Sequence, residues 1–294
     1  MKSGFVAILG RPNVGKSTLL NAILNHKVSI VTDKSQTTRN NIKGIYNAEG
    51  VQIIFLDTPG VHKPHQKLGQ EMNNMAYSAA HEVDVAILVV DASLPFGSGD
   101  EYLLDHLDIH HQPLMIVFNK IDQARLDKVE KLKAIYREKC PDASFIDTVA
   151  SERFNIDLLL KMIVERLPEG PFYYPQDVLT DKDEVFQIKE IIREKVLKTL
   201  REEVPHATAI YMDDIDWESN PMHIKATIVV EKDSQKGIVI GKNGQMIKLI
   251  GQRARKDIEA LMHKHVYLEL FVKVSEDWRN QEKELKVYGY KNEK

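Results

Sequence analysis

The segment Gly10-Arg11-Pro12-Asn13-Val14-Gly15-Lys16-Ser17 constrains this chain more than any other. It has the spacing G-x-x-x-x-G-K-[ST] and stands between the apolar run Phe5–Leu9 and a helical pattern over Lys16–Leu24. A loop in that position leaves a strand, turns tightly and opens a helix. Its backbone N–H groups and the helix N-terminus then converge on one point and favour an anion there. This is the context in which such a loop cradles phosphate. Lys16 is placed to reach β- and γ-phosphates, the Ser17 hydroxyl to ligate Mg²⁺, and Thr18 to follow in the first helical turn.

The surrounding pattern agrees with that loop. Phe5–Leu9, Gln52–Asp57, Val85–Asp91, Leu114–Asn119 and Ser144–Val149 have strand length and are rich in Val, Ile, Leu and Phe. Helical stretches Lys16–Leu24, Gly69–His81, Asp100–His110, Asp127–Cys140 and Asn155–Leu167 alternate with them. The alternation predicts an α/β domain over residues 1–167, a mostly parallel sheet with helices on both faces. Two strand ends carry further chemistry. Asp57-Thr58-Pro59-Gly60 offers a carboxylate for Mg²⁺ and the Gly60 N–H for a γ-phosphate. Asn119-Lys120-Ile121-Asp122 offers a carboxylate that can accept from guanine N1–H and its 2-amino group; adenine has neither donor there.

These three motifs, in this order and each at a strand end, resemble the GTPase superfamily of P-loop proteins. Within it, Gly10–Ser17 and Gln36-Thr37-Thr38-Arg39 resemble the Era/TrmE/EngA group of bacterial GTPases. The resemblance implies GTP and GDP as ligands and hydrolysis of GTP as the activity. It implies Thr38, or else Thr37, as the switch threonine that meets Mg²⁺ and the γ-phosphate. The first switch then runs from about Thr32 to Ile42 and the second from Thr58 to about Met72. It further implies K⁺ near Asn13, and the Ala150 N–H, in Val149-Ala150-Ser151, as the contact for guanine O6. Where many GTPases carry a Gln that orients the attacking water, this chain has Val61. Slow intrinsic hydrolysis is the expectation, with His62 as a conceivable alternative catalytic side chain.

At Pro168-Glu169-Gly170-Pro171-Phe172-Tyr173-Tyr174-Pro175 the composition changes. Three prolines in eight residues predict a semi-rigid connector over 168–180. Residues 181–294 have another order: a long helix over Glu184–Glu202, strands at Ala207–Met212 and Ile224–Glu231, a glycine loop, a helix over Gln245–Met262, a strand at Val266–Val274 and a charged terminal helix from Glu276. The loop Ile240-Gly241-Lys242-Asn243-Gly244, followed by Ile247 and Lys248, makes this α+β segment resemble a type II KH domain. In such domains a G-x-x-G loop clamps about four single-stranded nucleotides.

Charge sharpens that expectation. Lys and Arg number 40 against 43 Asp and Glu, a formal charge of −3, which excludes a basic coat over the whole chain. Yet Lys225–Lys256, around the glycine loop, holds eight basic and two acidic residues, whereas Arg201–Glu218 holds one basic and six acidic. A single GTPase domain, a proline-rich link and a C-terminal KH domain is the layout of the Era family of ribosome-assembly GTPases. The likeness extends to Glu190–Lys195 and Tyr267–Val274. It implies the 3′ region of 16S rRNA and the 30S subunit as partners, cytoplasmic work as a monomer, and peripheral membrane association. A nucleotide-gated RNA-binding module and a membrane signalling switch are the competing function classes. Cys140 is the single cysteine, which excludes an intrachain disulfide and points to a reducing compartment. The N-terminus reaches the glycine loop too soon for a signal peptide, and apolar runs such as Val85–Val90 fall far short of the ~20 residues that span a bilayer. The eleven histidines, His65 and the pair His110-His111 among them, form no metal pattern, and Trp217 and Trp278 read as packing.

Overall fold

The computed structural model describes residues 1–107 and 112–291. His110-His111 lies outside the described residues. The chain forms two compact units: Met1–Val31, Thr38–His65 and Gly69–Asp181 make the first, and Thr32–Thr37, Gln66–Leu68 and Lys182–Lys294 the second.

In the first unit, strands β1 (Lys2–Gly10), β2 (Ile42–Ala48), β3 (Val51–Asp57), β4 (Val85–Asp91), β5 (Leu114–Asn119) and β6 (Ser144–Thr148) form a sheet of order β2-β3-β1-β4-β5-β6. All pairings are parallel except β2 with β3. Alternate side chains of each strand enter different cores. Val6, Ile8, Ile53, Phe55, Ile87 and Val117 pack under α1 (Lys16–Leu24) and α5 (Ile156–Arg166). Ala7, Leu9, Ala86, Leu88, Ile116 and Phe118 pack under α2 (Lys67–His81), α3 (Ser98–His106) and α4 (Leu126–Lys139). Burial on both faces explains the unbroken apolar runs. The strand order reverses at β1, which has β3 on one side and β4 on the other; ligands of open α/β sheets bind beyond the strand ends at such a point.

Strand β2 is an addition to the expected set. Its sequence, Ile42-Lys-Gly-Ile-Tyr-Asn-Ala, carries a glycine and polar residues, and it is an edge strand buried only in part. Glu49-Gly50, with Gly50 at φ +69°, turns it back as a hairpin onto β3.

The proline-rich stretch is not a free connector. It belongs to the first unit through Asp181, because backbone donors and acceptors in it pair with strand side chains. Ser3 Oγ donates to the Pro171 carbonyl (2.7 Å). Gln52, fully buried on β3, uses its whole amide: Nε2 donates to Tyr174 O (2.8 Å) and Asn47 Oδ1 (2.8 Å), and Oε1 accepts from Tyr173 N (2.7 Å) and Tyr174 N (3.0 Å).

The second unit begins with α6 (Glu184–Thr199) and continues with β7 (Ala209–Asp216), β8 (Met222–Val230), α7 (Asp233–Ile240), α8 (Gln245–Met262), β9 (Val266–Val274) and α9 (Glu282–Val287). Its sheet has the order β7-β8-β9, antiparallel then parallel. Ile188, Ile192 and Val196 of α6, and Ile250, Ala254 and Ile258 of α8, recur every four residues and form one core with the inward face of the sheet. Helix α7 also exceeds the sequence expectation. It is eight residues long, carries Gly237 and ends in Ile-Val-Ile, a composition with weak helix propensity. Its start is held by its own first turn, where Gln235 Oε1 accepts from the N–H groups of Glu231 and Lys232 (2.9 and 3.1 Å) as in a capping box. Trp278 is fully buried, its indole N–H on the Ala207 carbonyl (2.9 Å), whereas Trp217 stays 36% exposed. Among the described residues no helix is long and apolar enough to cross a membrane.

Gln52→Ala strips buried N–H groups of their acceptor, at about 1–3 kcal/mol each. The expected outcome is a fall of about 3 kcal/mol in unfolding free energy, with chymotrypsin cleavage appearing at Phe172 and Tyr173.

Candidate functional site

The loop between β1 and α1 needs its glycines. Gly10 and Gly15 have φ of +149° and +102°, and Asn13 at +65° occupies the left-handed region that Asn tolerates best after glycine. A Cβ on Gly15 would collide with the Asn119 side chain. That close approach lets Asn119 hold two other motifs: Nδ2 donates to Val14 O (3.0 Å), and Oδ1 accepts from Ala150 N (3.0 Å) and Thr148 Oγ1 (3.2 Å). Lys120 Nζ bonds Asn13 O (2.7 Å) and the Asp91 carboxylate (2.6 Å). Arg11 reaches Asp100 on α3 (2.7 Å), whose other oxygen accepts from Tyr136 (3.1 Å). Gly60 lies against Pro12, since a Cβ there would sit 2.6 Å from the Pro12 nitrogen. The Val61 N–H continues the contact to Gly10 O (3.1 Å). Thr58 Oγ1 closes the segment on Ile8 O (2.8 Å).

At the centre is Asp57, which is fully buried. Its Oδ2 accepts from Ser17 Oγ (2.6 Å), Ser29 Oγ (2.7 Å) and, more weakly, Thr38 Oγ1 (3.4 Å); Ser17 and Thr38 lie 2.9 Å apart. Its Oδ1 is buried without a hydrogen-bond partner. Burial pushes this carboxyl above the usual range, against the Ser17 hydrogen bond and the Lys16 charge. Thr38 is therefore the threonine beside Ser17 and Asp57. Thr37 instead pairs with Thr32 Oγ1 (2.7 Å) and donates to Lys34 O (2.6 Å). The all-oxygen set of Ser17, Thr38 and Asp57, with one orphaned carboxylate oxygen, fits a hard cation such as Mg²⁺. Lys16 Nζ donates to the carbonyls of Arg11 (2.9 Å) and Gly10 (3.2 Å), and burial lowers its ammonium to about 8, with Asp57 opposing.

Other expected residues are placed less simply. Asp122 is exposed in a 3₁₀ turn after β5. The Ala150 N–H is engaged by Asn119, so a guanine oxygen would have to share or replace that bond. Val61 is buried in the core with Ala7 and Leu9. His62 packs within its own segment, a ring nitrogen on Gly60 O (2.9 Å) and its backbone paired with Asn73 (3.3 and 2.7 Å). Ser29, Asn21, Asp91 and Asp100 were not singled out by the sequence. Only Asn21 carried a signal, four residues after Ser17 on the same helix face.

The second glycine loop joins α7 to α8. Gly241, Asn243 and Gly244 have φ of +72°, +51° and +73°. A Cβ on Gly241 would stand 2.7 Å from the Met246 Cβ. Lys242 and Asn243 are exposed at the tip, Ile240 is half-buried behind them, and Lys248 projects from the first turns of α8. Beyond them runs an open groove of about 340 Å³ between α8 and β9. Ile247, Gly251 and Leu270 give it an apolar floor, and Lys248, Arg255 and Tyr267 line it as well. Positive charge, backbone N–H groups and an apolar floor in one place suit single-stranded nucleic acid.

Comparison with known proteins matches both units of the chain. Residues 5–120 match the family model described as 50S ribosome-binding GTPase, and residues 198–279 match that of the KH domain. The structure of Era in complex with MgGDPNP and nucleotides 1506–1542 of 16S ribosomal RNA is 39% identical, covers 99% of both chains and superposes with a TM-score of 0.94. A variant of Era from Aquifex aeolicus bound to GDP and AlF₄⁻ is 40% identical over 99% of both chains, with a TM-score of 0.93.

The lowered Lys16 ammonium makes phosphate binding depend on pH. Below pH 8 the group is already charged and affinity is flat; above it, binding must take up a proton, so affinity falls as pH rises. Titration with a fluorescent GDP should give binding about tenfold weaker at pH 9 than at pH 7.

Proposed function

The chain belongs to the Era family of GTPases, and from that premise we propose that it binds the 3′ region of 16S rRNA through its KH domain and acts in assembly of the 30S subunit. The observation that carries the reading is the Gly241–Gly244 loop at an apolar, basic-rimmed groove, in the same chain as a complete phosphate loop.

The hydrolytic half follows from the geometry around Asp57. Backbone N–H groups of residues 10–17 and Lys16 hold the β- and γ-phosphates, and Asp122 selects guanine, with Asn119 tying its strand end to the loop. Ser17 and Thr38, with the Asp57 carboxylate hydrogen-bonded to both, would hold Mg²⁺, and the ion would supply positive charge to the phosphate oxygens. Thr38 and Gly60 sense the γ-phosphate and give the two switches their nucleotide dependence. The Val61 side chain, buried in the core, takes no part in orienting water. K⁺ beside Asn13 adds charge where other systems use an arginine.

In the RNA half, Gly241 and Gly244 let the backbone approach phosphates, Lys242 and Lys248 add charge, and Ile240 and Ile247 support bases from beneath. The protein works in the cytoplasm as a monomer, with peripheral contact to the cytoplasmic face of the membrane.

One experiment tests this reading. Multiple-turnover GTP hydrolysis is measured in KCl and in NaCl, with and without an oligonucleotide of the 16S 3′ end, for the wild type and Gly241→Asp. The wild type should turn over several-fold faster with RNA and in KCl. Gly241→Asp should lose the RNA response and keep its basal rate. A rate indifferent to RNA favours a gated binding module, and equal rates in the two salts remove K⁺.

A further inference from the structure

Asp57 is held by three hydroxyls, and two of them are shared with the expected metal. Ser17 and Thr38 also offer their lone pairs to the cation, whereas Ser29 stands outside that ligand set and donates to the same oxygen, Oδ2, at 2.7 Å. Ser29 is 1% exposed. A buried serine commonly satisfies its hydroxyl on a nearby carbonyl, as Thr58 does on Ile8 O. Ser29 donates to a carboxylate instead, and its backbone is fixed for that purpose. Asn21 Oδ1 accepts from the N–H groups of Val28 (2.9 Å) and Ser29 (3.0 Å), while Nδ2 donates to Ser29 O (2.7 Å). Asn21 stands one turn after Ser17 on α1. One helix therefore sets both the metal-facing hydroxyl and, through Asn21, the Ser29 hydroxyl.

We propose that Ser29, clamped by Asn21, is a positioning residue that orients the Asp57 carboxylate for Mg²⁺. The inference rests on Asp57 serving the metal. Ser29 and the two metal-facing hydroxyls all meet Oδ2, so that oxygen is the one beside the metal's shell, and the Ser29 bond fixes the rotation of the carboxylate there. The grip does not depend on the switch. Thr38 leaves when the first switch opens, but residues 21 and 29 precede that segment. Metal affinity in the GDP state then depends on Ser29 more than on Thr38. Groups that orient metal ligands in this way are worth about 10–100-fold in affinity.

The test is release of fluorescent GDP over a series of Mg²⁺ concentrations, with an EDTA reference. In the wild type Mg²⁺ should slow release. Ser29→Ala should raise the half-saturating Mg²⁺ about tenfold, with the rate in EDTA within about twofold of wild type. Ser29→Thr, which keeps the hydroxyl, should restore it, and Asn21→Ala should shift it in the same direction as Ser29→Ala. Ser29→Cys, a weaker donor of similar size, gives an intermediate shift and keeps the test open if the alanine variant does not fold. A half-saturating Mg²⁺ unchanged in Ser29→Ala overturns the proposal. So does a rate in EDTA that rises by the same factor, which marks general loosening. A wild type indifferent to Mg²⁺ overturns the metal role of Asp57 first, and this inference with it.

Discussion

Burying a carboxylate away from water is costly unless several donors meet it, and in the first unit the meeting point is Asp57. Its position follows from strand pairing. Asp57 is the last residue of β3 and stands opposite Ile8 of β1 and Ile42 of β2, so it arrives beside the phosphate loop as that loop leaves β1. Three hydroxyls then converge from α1, from the turn after it and from the first switch. Desolvation raises the pKa of the acid and lowers that of Lys16 nearby, so both charges are held at the expense of folding. Tension of this kind is common where a site is built for an ion of complementary charge.

The same economy of links joins the remaining motifs. Asn119 touches the loop at Val14 and the segment Val149-Ala150-Ser151 at Ala150. Lys120 and Arg11 carry the loop to Asp91 and Asp100 on strand and helix ends. A loop tied at so many points keeps its N–H groups aimed without rearrangement, which is what electrostatic stabilisation of a charged transition state requires. In the second unit the glycine loop is shorter and is fixed by conformation rather than by side-chain ties. Gly241, Asn243 and Gly244 all have positive φ, and asparagine is the side chain best suited to replace a glycine there.

Much of this was legible in the sequence because the phosphate loop, Asp57 and Asn119 sit at strand ends, and buried parallel strands announce themselves as apolar runs. Helices α1 and α8 and strands β4, β5 and β9 have the expected bounds for the same reason. Strand β2 was not legible, since a half-buried edge strand with a glycine has neither alternation nor a continuous apolar run. Helix α7 owes its start to Gln235, which caps it locally from its own first turn rather than through residue propensity. The proline-rich stretch looked like a connector because its partners, Gln52 and Ser3, lie more than 100 residues away. Thr37 and Thr38 could not be told apart by type; only their different neighbours separate them. Ser29 gave no signal, because a lone serine acquires meaning only from what it touches.

The central claim is that the carboxylate of Asp57, with one oxygen unpartnered, is the metal-facing group of a GTP-hydrolysing site. It is tested most directly by Asp57→Asn, which keeps the size and removes the charge. The release rates of GDP in Mg²⁺ and in EDTA should converge in this variant, where the wild type separates them by about an order of magnitude. If Mg²⁺ still slows release in Asp57→Asn as much as in the wild type, the account is wrong.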